Sequence, residues 1–147
     1  MAIALSSGLR DHMLVTGSFK SGLDGGVLKI YAGSMPATAD ADSSALTVLC
    51  TISLDDTGSG ITFASTVTGG ILTKNSGEVW RGQIDATGVA TFFRFMAISD
   101  TGAASTTAKR VQGTVGVAGA DINFSSVSFV SGNFKVIDSL NVALPLV

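Results

Sequence analysis

Histidine and cysteine occur once each in the 147 residues, as His12 and Cys50, and proline only twice. A single cysteine excludes an internal disulfide and any multi-cysteine metal site, and a single histidine excludes the usual His-rich zinc arrangements. Charge is scarce as well: Asp, Glu, Lys and Arg make up 14% of the chain, about half the usual share. With a net charge of −2 and a pI near 5.1, there is no basic field to hold a nucleic-acid backbone. The opening MAIALSSGLRD has no positively charged start, and its apolar stretch is too short for a signal peptide. No window reaches the ~20 apolar residues that cross a bilayer. The expectation is a soluble chain made in the cytoplasm, with no nucleic-acid or membrane partner and no cofactor or metal.

Apolar side chains, by contrast, are abundant. Hydrophobic residues make up 46% of the sequence and the mean hydropathy is +0.48. That excludes a disordered chain, which needs low hydrophobicity and high charge. The length suits one domain over 1–147, with an arm over 1–17, a β-domain over 27–145 and a two-residue tail at 146–147. So few charges over so much apolar surface imply that partners, including further copies of the chain, cover part of it.

Periodicity changes once. Leu5, Leu9 and Met13 recur every fourth residue, one stripe of a short helix that Ser6 or Ser7 caps and Gly17 ends in the left-handed conformation. After Gly26 the pattern alternates. VLKIYAG, LTVLCTISL, ITFASTV, EVWRGQID, RVQGTVGV and FKVIDSLNVAL each place apolar residues on one face. In the second run the face is Leu46, Val48, Cys50, Ile52 and Leu54; in the last it is Phe134, Val136, Leu140, Val142 and Leu144. TFFRFMAI is apolar on both faces, which predicts a strand covered twice, by the core and by a neighbour. The apolar face of DINFSSVSFVSG shifts between Phe124 and Val127, which predicts a bulge or a bend between two sheets. Gly- and Asn-bearing turns separate the runs, and the two longest loops, 34–45 and 100–110, are small and polar. Loops of that length are functional or mobile. The class predicted is all-β: an antiparallel β-sandwich (jelly-roll-like) or barrel of about seven to nine strands with a short N-terminal helix.

Few residues present chemistry. His12 lies on the helix with no nucleophile or orienting carboxylate beside it, so its expected role is structural or at an interface. Cys50 falls on the buried face of its strand and reads as a small hydrophobe. Asp40, Asp42, Asp55 and Asp56 lack the spacing of a calcium loop and read as solvated carboxylates. Glu78, the one Glu, has no carboxylate partner across a sugar cleft, which leaves a small hydrolase as the weakest reading and points away from an enzyme. Trp80 offers a sugar platform. Arg94, set between Phe93 and Phe95, must be paired if buried; Glu78 or Asp138 could serve, and Asp138 itself interrupts an apolar face and calls for a cation. The expected ion pair is Arg94–Asp138. The expected interface is made by the two ends: Leu5, Leu9, His12 and Met13 from the helix, and Leu144, Leu146 and Val147 beyond or beside Pro145.

From Val27 to Pro145 the order of segments is LKIYAGSMP, LTVLCTISL, ATFFRFMAISDTG and VQGTVGVAGADINFSSVSFVSGNFKVIDSLNVALP. The most distinctive parts are Phe93-Arg94-Phe95, Gly113-Thr114-Val115-Gly116, Gly119-Ala120-Asp121 and Gly132. This resembles small structural proteins from the head gene clusters of tailed bacteriophages. The resemblance implies a capsid decoration (cement) protein with no catalytic residues, bound to the major capsid protein on the virion surface as a homotrimer. The alternative is a tail, collar or baseplate accessory protein with a carbohydrate- or protein-binding β-domain.

Overall fold

A computed structural model describes residues 3–143; the predicted interface residues Leu144, Leu146 and Val147 lie outside them. In chain order the elements are β1 (Ala4–Leu5), α1 (Ser7–Asp11), a π-helical turn (His12–Thr16), α2 (Phe19–Leu23), β2 (Val27–Tyr31), β3 (Val48–Leu54), β4 (Ile71–Thr73), β5 (Trp80–Gln83), β6 (Gly88–Val89), β7 (Phe92–Met96), β8 (Val111–Gly116), β9 (Ile122–Asn123), β10 (Ser128–Phe129), β11 (Phe134–Ile137) and β12 (Asn141–Ala143). The antiparallel all-β class is the one observed. Eight strands form one sheet in the order β1-β8-β7-β2-β3-β5-β11, with β9 added parallel to β8. The remaining strands make two small ribbons, β6–β10 and β4–β12. The strands number twelve among the described residues, more than expected, because several pairings last only two residues.

One face of the large sheet carries the main core. Leu28, Ile30, Leu49, Cys50, Ile52, Trp80, Phe93, Phe95 and Val111 pack there. The layer over them is not a second large sheet. It is built from Leu9 of α1, Phe19 and Leu23 of α2, Ile61 and Phe63 of the bridged 61–74 segment, and Leu72 of β4. Phe63 is the hinge of this packing, meeting Phe19, Trp80 and Phe95 with ring centroids 5.5–5.6 Å apart. Pairs of this geometry add about 0.5–1.5 kcal/mol beyond the burial of their area.

The N-terminal arm departs from the single helix predicted. Leu5 is extended in β1, paired with Val111. Ser6 does cap α1: its Oγ accepts from the Leu9 N–H at 3.1 Å and from the Arg110 N–H at 2.8 Å, and donates to the Ala108 carbonyl at 2.8 Å. These bonds tie the start of the chain to residues a hundred positions away. The helix ends at Gly17 as expected, but with φ −165° rather than left-handed. A Cβ there would sit 2.4 Å from Ser21 Oγ and 2.8 Å from His12 Nε2, so any larger residue has to displace these two side-chain tips.

Two further departures have local causes. A bulge in β3 makes Ile30 pair with Cys50 but Tyr31 with Val48. Leu49 and Cys50 therefore both enter the core, while Val48 and Leu46 turn to the opposite face. In β11 it is Ile137 that is buried, whereas Phe134 and Val136 are 49% and 41% exposed, the reverse of the predicted face. The strand stops after Ile137, and Val142 belongs to β12 of a separate ribbon, so the long alternation is two runs out of phase. The phase shift at 124–127 does mark a change of sheet, from β9 beside β8 to β10 beside β6.

Candidate functional site

Strand β7 is buried along its whole length, but its second cover belongs to the same chain. Tyr31 and Phe92 stack there with centroids 4.7 Å apart, joined by Met96, Leu46 and Val48. Beside them lie two arginines with 0% and 1% exposure, Arg94 and Arg110, which hold the long loops down. Arg94 donates from Nε to Gln112 Oε1 at 3.0 Å, and its terminal nitrogens to Ser43 Oγ at 3.0 Å and the Thr38 carbonyl at 3.1 Å. Arg110 donates to both Asp100 oxygens, at 2.6 and 2.7 Å, and to the carbonyls of Ala39 and Ala103. The loops at 34–46 and 97–110 thus form a polar lid over an apolar strand. Buried guanidinium groups need such partners, because the desolvation of a charge is compensated only when most of its N–H groups are bonded.

The expected Arg94–Asp138 pair is not formed. Arg94 is neutralised by dipoles, with carbonyl, amide and hydroxyl oxygens as its bonded acceptors, while Asp138 is exposed at the end of β11. Burial, followed by the neighbouring Arg110 charge, lowers the pKa of Arg94 from its ordinary value. Asp100 goes below the ordinary carboxylate range: partial burial works to raise it, but the bonds from Arg110 and the Gly102 N–H outweigh that cost.

Asp40, Asp42, Asp55, Asp56 and Glu78 are bonded internally. Asp40 accepts from the Ser7 N–H and O–H at 2.8 and 2.6 Å, which lowers its pKa, and Asp42 does the same for Ser44. Asp55 pairs with Arg81 at 3.1 Å, and Asp56 accepts from the Gln83 N–H. Glu78 accepts from the Thr62 N–H and O–H and from Trp80 Nε1; partial burial opposes ionisation, yet these three donors bring its pKa below the usual value. Among the described residues, no three His, Cys, Asp or Glu side chains assemble as metal ligands. For Asp100 and Glu78 the folded pKa lies below the unfolded one, so their stabilisation is present above about pH 4 and is lost as pH falls through the lowered values. Denaturant midpoints measured from pH 7 down to pH 2 are expected to hold until about pH 4 and then fall. Glu78→Gln is expected to flatten that fall, and an unchanged acid limb in this variant would show that Glu78 is not its source.

Two other sites are closed by burial. Cys50 is buried, and desolvation pushes its thiol up to about 12, so it is no nucleophile at neutral pH. Trp80 is wholly buried, with its N–H spent on Glu78, and offers no ring face to a sugar.

The predicted interface splits in the same way. Leu9 is in the core at 0% exposure, a correction of its assignment to a contact surface, and Leu5 and Met13 are half-buried against that core. His12 is half-buried, with Nε2 2.9 Å from Ser21 Oγ. The exposed apolar residues are their neighbours Leu14 and Val15, 82% and 89% exposed on the π-helical turn. They fall off the four-residue stripe, and that phase was the signal that could have marked them as outward-facing. A second exposed set, Val79, Phe134 and Val136, lies toward the β5–β11 end of the sheet, with the Arg81 guanidinium 5.0 Å from the Phe134 ring centre. No helix among the described residues is long and apolar enough to cross a membrane.

Compared with protein-family models, with curated proteins and with solved structures, the chain matches none.

Proposed function

We propose that the protein is a structural component of a bacteriophage virion, a decoration protein that binds the major capsid protein across subunits of the head and associates with itself as a homotrimer. The observation that carries this reading is the placement of Leu14 and Val15. Two adjacent branched apolar side chains stand almost fully in water on a turn that directly follows α1, whose Leu9 is fixed in the core. A chain with 14% charged residues has few ways to keep such a pair solvated, and burial in a partner stabilises each by about 1.5 kcal/mol or more. The bonded acids, the buried thiol and the buried tryptophan support an adhesive rather than a catalytic role. Many symmetric copies would reinforce each other by avidity on a shell.

The test is binding of the purified protein to emptied, undecorated heads, with its mass in solution measured alongside. The double variant Leu14→Asp/Val15→Asp is expected to bind about 100-fold more weakly, from about 1.5 kcal/mol per side chain. It is expected to shift the solution mass from trimer to monomer and, at a dilution where the wild type is also monomeric, to show the wild-type unfolding midpoint. Wild-type protein that ignores heads, or that is found in tail-like multiples of three, six or twelve per virion, would instead favour the tail, collar or baseplate role.

A further inference from the structure

Two edge strands of the large sheet, β11 and β9, lie along one groove. Strand β11 ends the sheet, with β5 its neighbour, and β9 has β8 as its neighbour. Residues 121–125 and 134–141 together line a channel of about 730 Å³. Successive residues of β11, Phe134 and Val136 of the outer face and Lys135 and Ile137 of the inner, all line it, so the channel runs along the strand edge rather than over one face. Its walls are held at a set separation from inside. Lys135 Nζ sits 5.5 Å from the Phe124 ring centre and 4.8 Å from that of Phe129, and donates to the Ser126 carbonyl at 3.3 Å. Across the channel, the Phe124 N–H bonds the Gly116 carbonyl and fixes the β9 wall to β8.

We infer that this groove accepts an extended segment of another polypeptide, which pairs with β11 and β9 and carries a lysine or arginine that meets Asp138. On an edge strand, alternate N–H and C=O groups point away from its one neighbour, and an incoming strand satisfies them. Four residues of β11 span about 13 Å, the length of a four- or five-residue extended segment. The charge requirement follows from the lining. Asp121 accepts from the Thr114 N–H at 2.9 Å and from its hydroxyl at 3.1 Å, and Lys135 is held by its two rings and Ser126. Asp138 alone is exposed, with no hydrogen-bond or ion-pair partner among the described residues.

A second copy does not supply this segment. Of the nine basic residues, Lys20 pairs with Asp24, Lys74 bonds the Glu78 carbonyl, Arg81 pairs with Asp55, and Arg94, Arg110 and Lys135 are held as described. Of the other three, Arg10 is helical, Lys29 lies in a strand paired on both sides, and Lys109 sits between residues bonded to Ser6. The occupant is therefore a strand of the partner protein, which on the reading above is the shell subunit.

The experiment is hydrogen exchange on the full chain, free at two concentrations and bound to emptied heads. The expected result is protection, by 10-fold or more on heads only, of the Asn123 amide and of those Phe134–Asp138 amides that do not bond β5. Asp138→Lys is expected to weaken head binding at least 10-fold, with unchanged free-state exchange and unchanged unfolding midpoint. Binding to heads without protection at these amides overturns the inference and leaves the head-binding reading standing. Protection that rises with the concentration of free protein overturns it in favour of a second copy. No binding to heads at all overturns both.

Discussion

Arg110→Ala is expected to lower the unfolding free energy by about 3–5 kcal/mol, a fall in Tm of roughly 6–20 °C for a chain of this size. The substitution does more than delete bonds. It strands the Asp100 carboxylate, whose side chain is only 9% exposed, and frees the carbonyls of Ala39 and Ala103 on two different loops. A buried charge without its partner is the costly state, whereas removing both members is not. The double variant Arg110→Met/Asp100→Leu should therefore recover much of the loss, and a double-mutant cycle from denaturant titrations reads the coupling. If Arg110→Ala costs under about 1 kcal/mol, a typical value for an exposed pair, the clasp is solvated in solution and the lid is not held by it. The same variant should raise amide exchange across both loops, since it is the Arg110 side chain that bonds the Ala39 carbonyl on one loop and the Ala103 carbonyl on the other.

Trp80→Ala is expected to cost about 3–5 kcal/mol, the range for truncating a large aromatic in a closed core. Trp80 lies under Phe63, Phe95 and Lys74, so its loss opens a cavity at the point where the 61–74 segment meets the sheet. It also removes a donor from Glu78, which fastens that segment through Thr62. Trp80→Phe should cost less, because it retains most of the ring volume and loses one hydrogen bond worth about 1 kcal/mol. As the one tryptophan, Trp80 reports its own environment: native fluorescence should be insensitive to external quenchers and become sensitive on unfolding. Quenching in the native state would contradict its burial.

Much of the strand content was legible because burial on one side of a sheet writes a period of two into the sequence. Val27–Tyr31, Trp80–Gln83 and Val111–Gly116 lie where alternation placed them. The errors came where alternation was followed past a break. At Leu49 a bulge admits an extra residue and reverses the face of everything before it. After Ile137 the chain leaves β11, so Val142 obeys a different pairing from Val136. At an edge, moreover, apolar character does not mean inward: Phe134 is exposed beneath Arg81.

The candidate site was less legible still. That Arg94 needed partners followed from its neighbours Phe93 and Phe95 alone, but a carboxylate was the wrong chemistry for them. The acceptors came from Ser43 and Thr38, more than fifty residues away, and from Gln112 on the adjacent strand. Leu9 and Leu14 are both leucines of one arm; the four-residue phase puts them on different faces, and the packing of Leu9 shows which face is core.

By itself, the order of apolar and polar residues determined the class of this protein: most of its strands, its turns, and a serine cap at Ser6 or Ser7 for the first helix. Those properties are set by neighbours within a few positions. Only the tertiary structure decided which loop lies on which face, where two edge strands of the sheet meet along one groove, and which face of the N-terminal arm is left in water. Each of these depends on pairing between residues tens of positions apart, and a local pattern carries no record of the distance that folding closes.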